Sequence, residues 1–197
     1  MKIARVLTGA IAGILLVAGP ALAQAPDASA PPPAAMHPEV KAVGDWFVRC
    51  YPVQSPSPCD VYQELDNQNT RLRVLTFSIA YAPGQNRHIA AISVPLEVSI
   101  PKGLVISTDS FTSPVLRYRM CNRDGCYVQM IMDNAMIEAL TKSGPAGKVT
   151  VWADSGKVYP ITLSLKGFAA AHDDMVTQAR AKAKSAPAGA PAAAAKP

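Results

Sequence analysis

The chain is predicted to be all-β: a sandwich or barrel of about nine short antiparallel strands with one short helix and two local disulfides. Three observations carry that prediction. Runs of period-two alternation are separated by turn residues, four cysteines sit close to those turns, and an N-terminal leader routes the chain out of the cytoplasm.

In the leader, Lys2 and Arg5 precede an apolar run from Val6 to Ala18. Pro20-Ala21-Leu22-Ala23-Gln24 then supplies an A-x-A site, so residues 1–23 read as a secretory signal peptide cleaved after Ala23. The apolar run is shorter than the ~20 residues a spanning helix requires. No other segment is apolar enough to span, and no cysteine follows the site to accept a lipid. The mature protein is therefore expected to lack a transmembrane span and to be periplasmic, secreted or associated with the outer membrane. Cleavage removes two basic residues and no acid, lowering a net charge that is only +5 to begin with. The basic residues are scattered and not interleaved with aromatics, which argues against a nucleic-acid partner.

All of the cysteines, Cys50, Cys59, Cys121 and Cys126, fall after the leader, and an even number behind an export signal reads as two disulfides. Three connectivities are possible. Cys50–Cys59 and Cys121–Cys126 are favoured, because each pair brackets a turn, Pro-rich in the first case and Asn122-Arg123-Asp124-Gly125 in the second. Antiparallel partners lie ~4.5–5.5 Å apart at Cα, within reach of a disulfide. A zinc site is disfavoured, since there is no C-x-x-C and the histidines are dispersed.

Residues 24–40 are rich in Pro and Ala and form a spacer expected to be disordered; residues 169–197 form an Ala/Pro/Lys-rich tail with room for a short helix at its start. Between them lies a single β domain, residues 41–168. Trp46, Val48 and Cys50 alternate on one strand face. Asp60 to Glu64 follows as a second strand. Along Leu72 to Tyr81 the apolar phase slips from Leu72/Val74 to Leu75/Phe77/Ile79, which a bulge or burial on both faces explains. Ile92 to Ile100 alternates cleanly, with Pro95 marking an edge or a bulge, and Leu104 to Thr108 is expected to return antiparallel after the turn at Pro101-Lys102-Gly103. Leu116 to Met132 reads as a clasped hairpin around the second cysteine pair. Asp133 caps a helix over Asn134 to Lys142, and Lys148–Ala153 with Val158–Leu165 closes the domain as a hairpin. Trp46 and Trp152 are expected in the core, Trp46 because it alternates in phase with Val48 and Cys50; a surface anchor is the other role open to them.

The order of Gly44-Asp45-Trp46 with Cys50, then Cys59, the Cys121…Gly125-Cys126 clasp, the helix after Asp133 and the closing Ser164-Leu165-Lys166-Gly167-Phe168 resembles the invasion-associated locus B proteins, exported proteins of α-proteobacteria. The resemblance covers Lys41 to Phe168. It implies an immunoglobulin-like β-sandwich, an envelope location and, in some pathogens, a part in entering host cells. It implies no catalytic or cofactor residues.

The residues agree that no catalytic frame is legible: there is no G-x-S-x-G, H-E-x-x-H or phosphate loop. His37, His88 and His172 each read as solvated or packing side chains, since a lone imidazole has no catalytic geometry. Arg71/Arg73 and Arg117/Arg119 are spaced to share strand faces and are a candidate anion-binding stripe for a glycan or lipid headgroup; a solvated face is the plainer reading. Met130 and Met132 share a face as well, where paired thioethers suit Cu(I), although core filling is the simpler role. No cofactor is expected. The function that follows is a non-enzymatic envelope interaction protein with an envelope or host protein as its partner; the alternative is a periplasmic ligand-binding protein or an enzyme whose site is assembled from distant residues.

Overall fold

The computed structural model describes residues 37–185. The expected signal peptide, most of the spacer and the end of the tail lie outside the described residues. Among those described, ten strands form two antiparallel sheets, and the all-β sandwich expectation holds. Six strands, β1 (Glu39–Val43), β2 (Trp46–Cys50), β3 (Cys59–Asp66), β4 (Arg73–Ala82), β5 (Arg87–Val94) and β6 (Leu104–Ser107), precede the clasp. After them come β7 (Met120–Asn122), β8 (Gly125–Met132), helix α1 (Asn134–Lys142), β9 (Ala146–Trp152), β10 (Val158–Ser164) and helix α2 (Phe168–Ser185). The large sheet runs β1-β2-β3-β4-β5-β8-β7 and the small one β10-β9-β6.

Alternation decides the burial. On β4, Leu75, Phe77, Ile79 and Tyr81 point inward, matched by Ala90, Ile92 and Val94 on β5 and Cys126, Val128 and Met132 on β8. The slip in phase at the start of β4 is a bulge: Leu65 pairs with Leu75 and Asp66 with Arg73, leaving Val74 without an opposite number. Trp46 is fully buried, as its phase implied, with Phe168 edge-on at 4.8 Å and Phe77 at 6.0 Å. Trp152 is only half buried.

Several elements differ from the sequence reading. The extended clasped hairpin is short: β7 spans Met120–Asn122 at the rim of the large sheet, and Leu116 instead bridges to Leu104. Pro95 does not mark an edge. It follows the last residue of β5, which lies between β4 and β8, and the chain there leaves the large sheet. Leu104–Ser107 accordingly pairs with β9 in the small sheet and does not return along β5. The helix for which the tail had room is longer than a short one: α2 continues to Ser185, burying Phe168, Ala171, Met175 and Ala179 against the core at i, i+3/i+4 spacing. Alanine-rich composition hid this face, since Ala171 and Ala179 contribute small apolar contacts without bulk.

Both disulfides form as favoured, Cys50–Cys59 and Cys121–Cys126. Each staples neighbouring strands of the large sheet. Their surroundings differ, however: Cys50 and Cys59 are in the core, whereas Cys121 is exposed at the rim. Chain entropy credits each with about 2–3 kcal/mol. Replacing Cys50 and Cys59 with Ala also leaves a void in the core, so this pair is expected to lower the urea midpoint more than Cys121→Ala with Cys126→Ala, as equilibrium unfolding would register.

Candidate functional site

Where the chain leaves β5, Pro95 to Ile100 crosses from the large sheet to the small one. Ser99 N–H donates to Trp152 O at 2.8 Å, Asp154 N–H donates to Glu97 O at 2.9 Å, and Val98 bridges to Ala153. Glu97 is held at φ 70°, a left-handed conformation unusual for a non-glycine residue. Beneath this crossover, at the open end of the sandwich, lies a cavity of about 470 Å³. Val74 from the β4 bulge, Val94, Val98, Val151 and Ile161 give it an apolar wall, and Asn67 and Glu97 are the polar residues that line it. Its rim exposes Leu96 and Tyr159 at 47% and 44% of their surface, and Ile100 and Val158 nearby are similarly exposed. Apolar groups left in water around a concavity of this size make it the candidate binding surface.

The arginines singled out in the sequence are placed separately. Arg71 occupies the β3–β4 turn at φ 59°, its N–H donating to Asn67 O. Arg73 pairs with Glu64 at 2.7 Å and Asp66 at 2.5 Å. Arg119 donates to Gln129 Oε1 at 3.0 Å beside β7, and Arg117 is exposed. With β5 and β8 between them, β4 and β7 are about 14 Å apart from ladder spacing alone.

A different arginine, Arg49, makes a two-pronged contact with a buried carboxylate. Its guanidinium donates to both carboxylate oxygens of Asp60, at 3.0 and 2.6 Å, and lies 4.3 Å over the Tyr62 ring. The hydrogen bonds to Asp60 hold its pKa above the usual value despite partial burial. Asp60 is buried, so the pair is directed at itself and leaves little charge for an external anion. Sequence reasoning missed it because only the β2–β3 register opposes Arg49 to Asp60.

The histidines that read as solitary include a pair. His88 on β5 and His172 on α2, 84 positions apart, face each other with Nε2 to Nε2 at 2.9 Å. His172 Nδ1 lies 3.2 Å from Asp173 Oδ1. The Tyr81 ring packs on His88 at 4.9 Å, and Arg180 donates to the Tyr81 hydroxyl at 3.0 Å. Met130 and Met132 face the core from β8, with Met132 buried and paired in register with His88.

The family description "Invasion associated locus B (IalB) protein" matches residues 46–176, from the start of β2 into α2. The chain belongs to the IalB family. It is 31% identical over 130 residues to an invasion protein B homolog of Brucella abortus strain 2308, covering 66% of this chain and 74% of that one, and the same holds for the homolog of biovar 1 strain 9-941. The crystal structure of invasion associated protein B from Bartonella henselae superposes with a TM-score of 0.62 at 16% identity, over 72% of this chain and 99% of that one. This IalB chain thus shares its sandwich with a solved relative, and the family match carries past the resemblance at Phe168 into the docked helix.

Burial, and then the charges of His172 and Arg180, push His88 down from 6.5 to about 4. The unfolded chain takes up a proton near 6.5 and the folded chain resists it until about 4, so this contribution to stability is complete above about pH 6.5 and lost as pH falls towards 4. Tyr81, Asp173 and Arg180 also surround the pair. Urea unfolding at about pH 7.5 and 4.5 is expected to show a drop in stability that His88→Gln reduces.

Proposed function

We propose that this IalB-family protein is exported to the cell envelope and acts there by binding, not by catalysis, with the cavity under the Pro95–Ile100 crossover receiving apolar side chains of a protein partner. The observation that carries the reading is the combination of an apolar cavity with an exposed apolar rim. Catalysis requires a nucleophile and base, or two carboxylates with displaced pKa values, converging on bound substrate. Glu97 and Asn67 supply neither arrangement.

A protein partner suits the rim better than a small ligand alone. Leu96, Ile100, Val158 and Tyr159 extend the apolar surface beyond the cavity itself, giving a larger contact than a small molecule needs. Strand addition along β10 is limited, because Pro160 withholds a donor from that outer strand. The contact is therefore made by side chains. The names of the Brucella and Bartonella relatives agree with a role at the interface between a bacterium and its host, and the leader agrees with delivery to the periplasm or beyond.

A photoreactive residue placed at Leu96 or Tyr159 is expected to capture the same protein in intact cells, while one on the exposed Glu138 of α1 does not. Capture by all three positions alike, or by neither rim position, would contradict the proposal. Adducts confined to small molecules would favour the ligand-binding alternative.

A further inference from the structure

We infer that His88, His172 and Met132 form a copper site, with two imidazole nitrogens and a thioether as ligands, between the large sheet and α2. Two imidazoles presenting Nε2 to Nε2 at 2.9 Å share a single proton when both are neutral. In a tetrahedral site with metal–nitrogen bonds of ~2.0–2.1 Å, two such nitrogens stand ~3.3–3.4 Å apart. Parting the rings by about half an ångström is enough to admit an ion.

Protonation favours this exchange. His172 Nδ1 faces Asp173 Oδ1, which places a proton on Nδ1 and the lone pair on Nε2, the arrangement in which a carboxylate orients a metal-bound histidine. His88 then carries its proton on Nε2, towards His172. Metal binding requires that proton to move to Nδ1, a change of tautomer with no net loss. The positive charge of Arg180 opposes a cation here, but its guanidinium is directed at the Tyr81 hydroxyl.

The third ligand selects the metal. Met132 is the direct cross-strand partner of His88, and partners in an antiparallel ladder project from the same face with Cβ atoms ~5 Å apart. Met132 is buried, with Met130 two residues away on that face. Imidazoles alone accept zinc, nickel or copper; adding a soft thioether favours copper, above all Cu(I). Three residues widely separated in sequence are thus brought together by one strand pairing and one helix docking.

The test is Cu(I) binding by the mature wild-type protein in competition with a chromophoric chelator, alongside His88→Gln, His172→Gln and Met132→Leu. Stoichiometric binding is expected, weakened by about tenfold or more in each variant. Because a substitution at the buried positions could disturb folding, ¹⁵N imidazole spectra of the wild type provide a second readout. Cu(I) should shift the Nε2 resonances of His88 and His172 and leave exposed His37 unchanged. Failure to compete with the chelator, shifts confined to His37, or unaltered affinity in a folded Met132→Leu variant would overturn the assignment.

Discussion

The structure depends on a place where two turns meet backbone to backbone. Gly44, in the turn between β1 and β2, has φ +63°, and a Cβ there would stand 2.5 Å from Lys166 O; Gly167, at φ +83°, faces Val43 O with only 2.6 Å for a Cβ. Neither position admits a side chain without moving main chain. Around them the polar groups are mutually satisfied. Asp45 N–H donates to Lys166 O at 3.1 Å, the Trp46 indole donates to Ser164 O at 2.8 Å, and Ser164 Oγ donates to Asp45 Oδ2 at 2.6 Å. Buried Gln63 donates to Asp45 O at 2.8 Å and accepts from Ser164 N–H at 3.1 Å. Leaving one of these buried groups unpaired costs roughly 1–3 kcal/mol.

The junction links three layers at once. β2 and β3 belong to the large sheet, Ser164 ends the small sheet, and Phe168 begins α2 while packing on Trp46. The direction in which α2 leaves determines that His172, one turn later, meets His88 on β5. At the other end of the sandwich the Pro95–Ile100 crossover takes the chain from one sheet to the other and roofs the cavity. The candidate surfaces therefore depend on the same sheet pairing, although neither involves the residues of the junction.

Local relationships were legible in the sequence; distant ones were not. Cysteines separated by 9 and 5 positions across turns indicated their own partners, because strand register repeats what sequence proximity suggests. Asp133 before an apolar-periodic run announced α1, and its carboxylate does accept from Met136 N–H at 2.8 Å. The Leu72-to-Leu75 slip pointed to a bulge without excluding burial on both faces, a choice that only the pairing with Leu65 and Asp66 makes. Pro95 was misread because loss of a donor is equally compatible with a strand's end and with a sheet's edge. The Arg49–Asp60 pair and the His88–His172 contact had no local signal, since each follows from which elements become neighbours. β1 escaped notice because it straddles the boundary drawn between spacer and domain, with Glu39 and Val40 on one side and Lys41 to Val43 on the other.

Native-state hydrogen exchange at the Trp46 indole N–H and the Ser164 amide tests the junction most directly. If the two sheets and α2 separate only when the whole fold opens, both protons will exchange with the same free energy as the innermost amides of β4 and β5. Exchange through a much less costly local opening, with β4 and β5 still protected, would contradict the account and reduce the glycine contact to a surface detail.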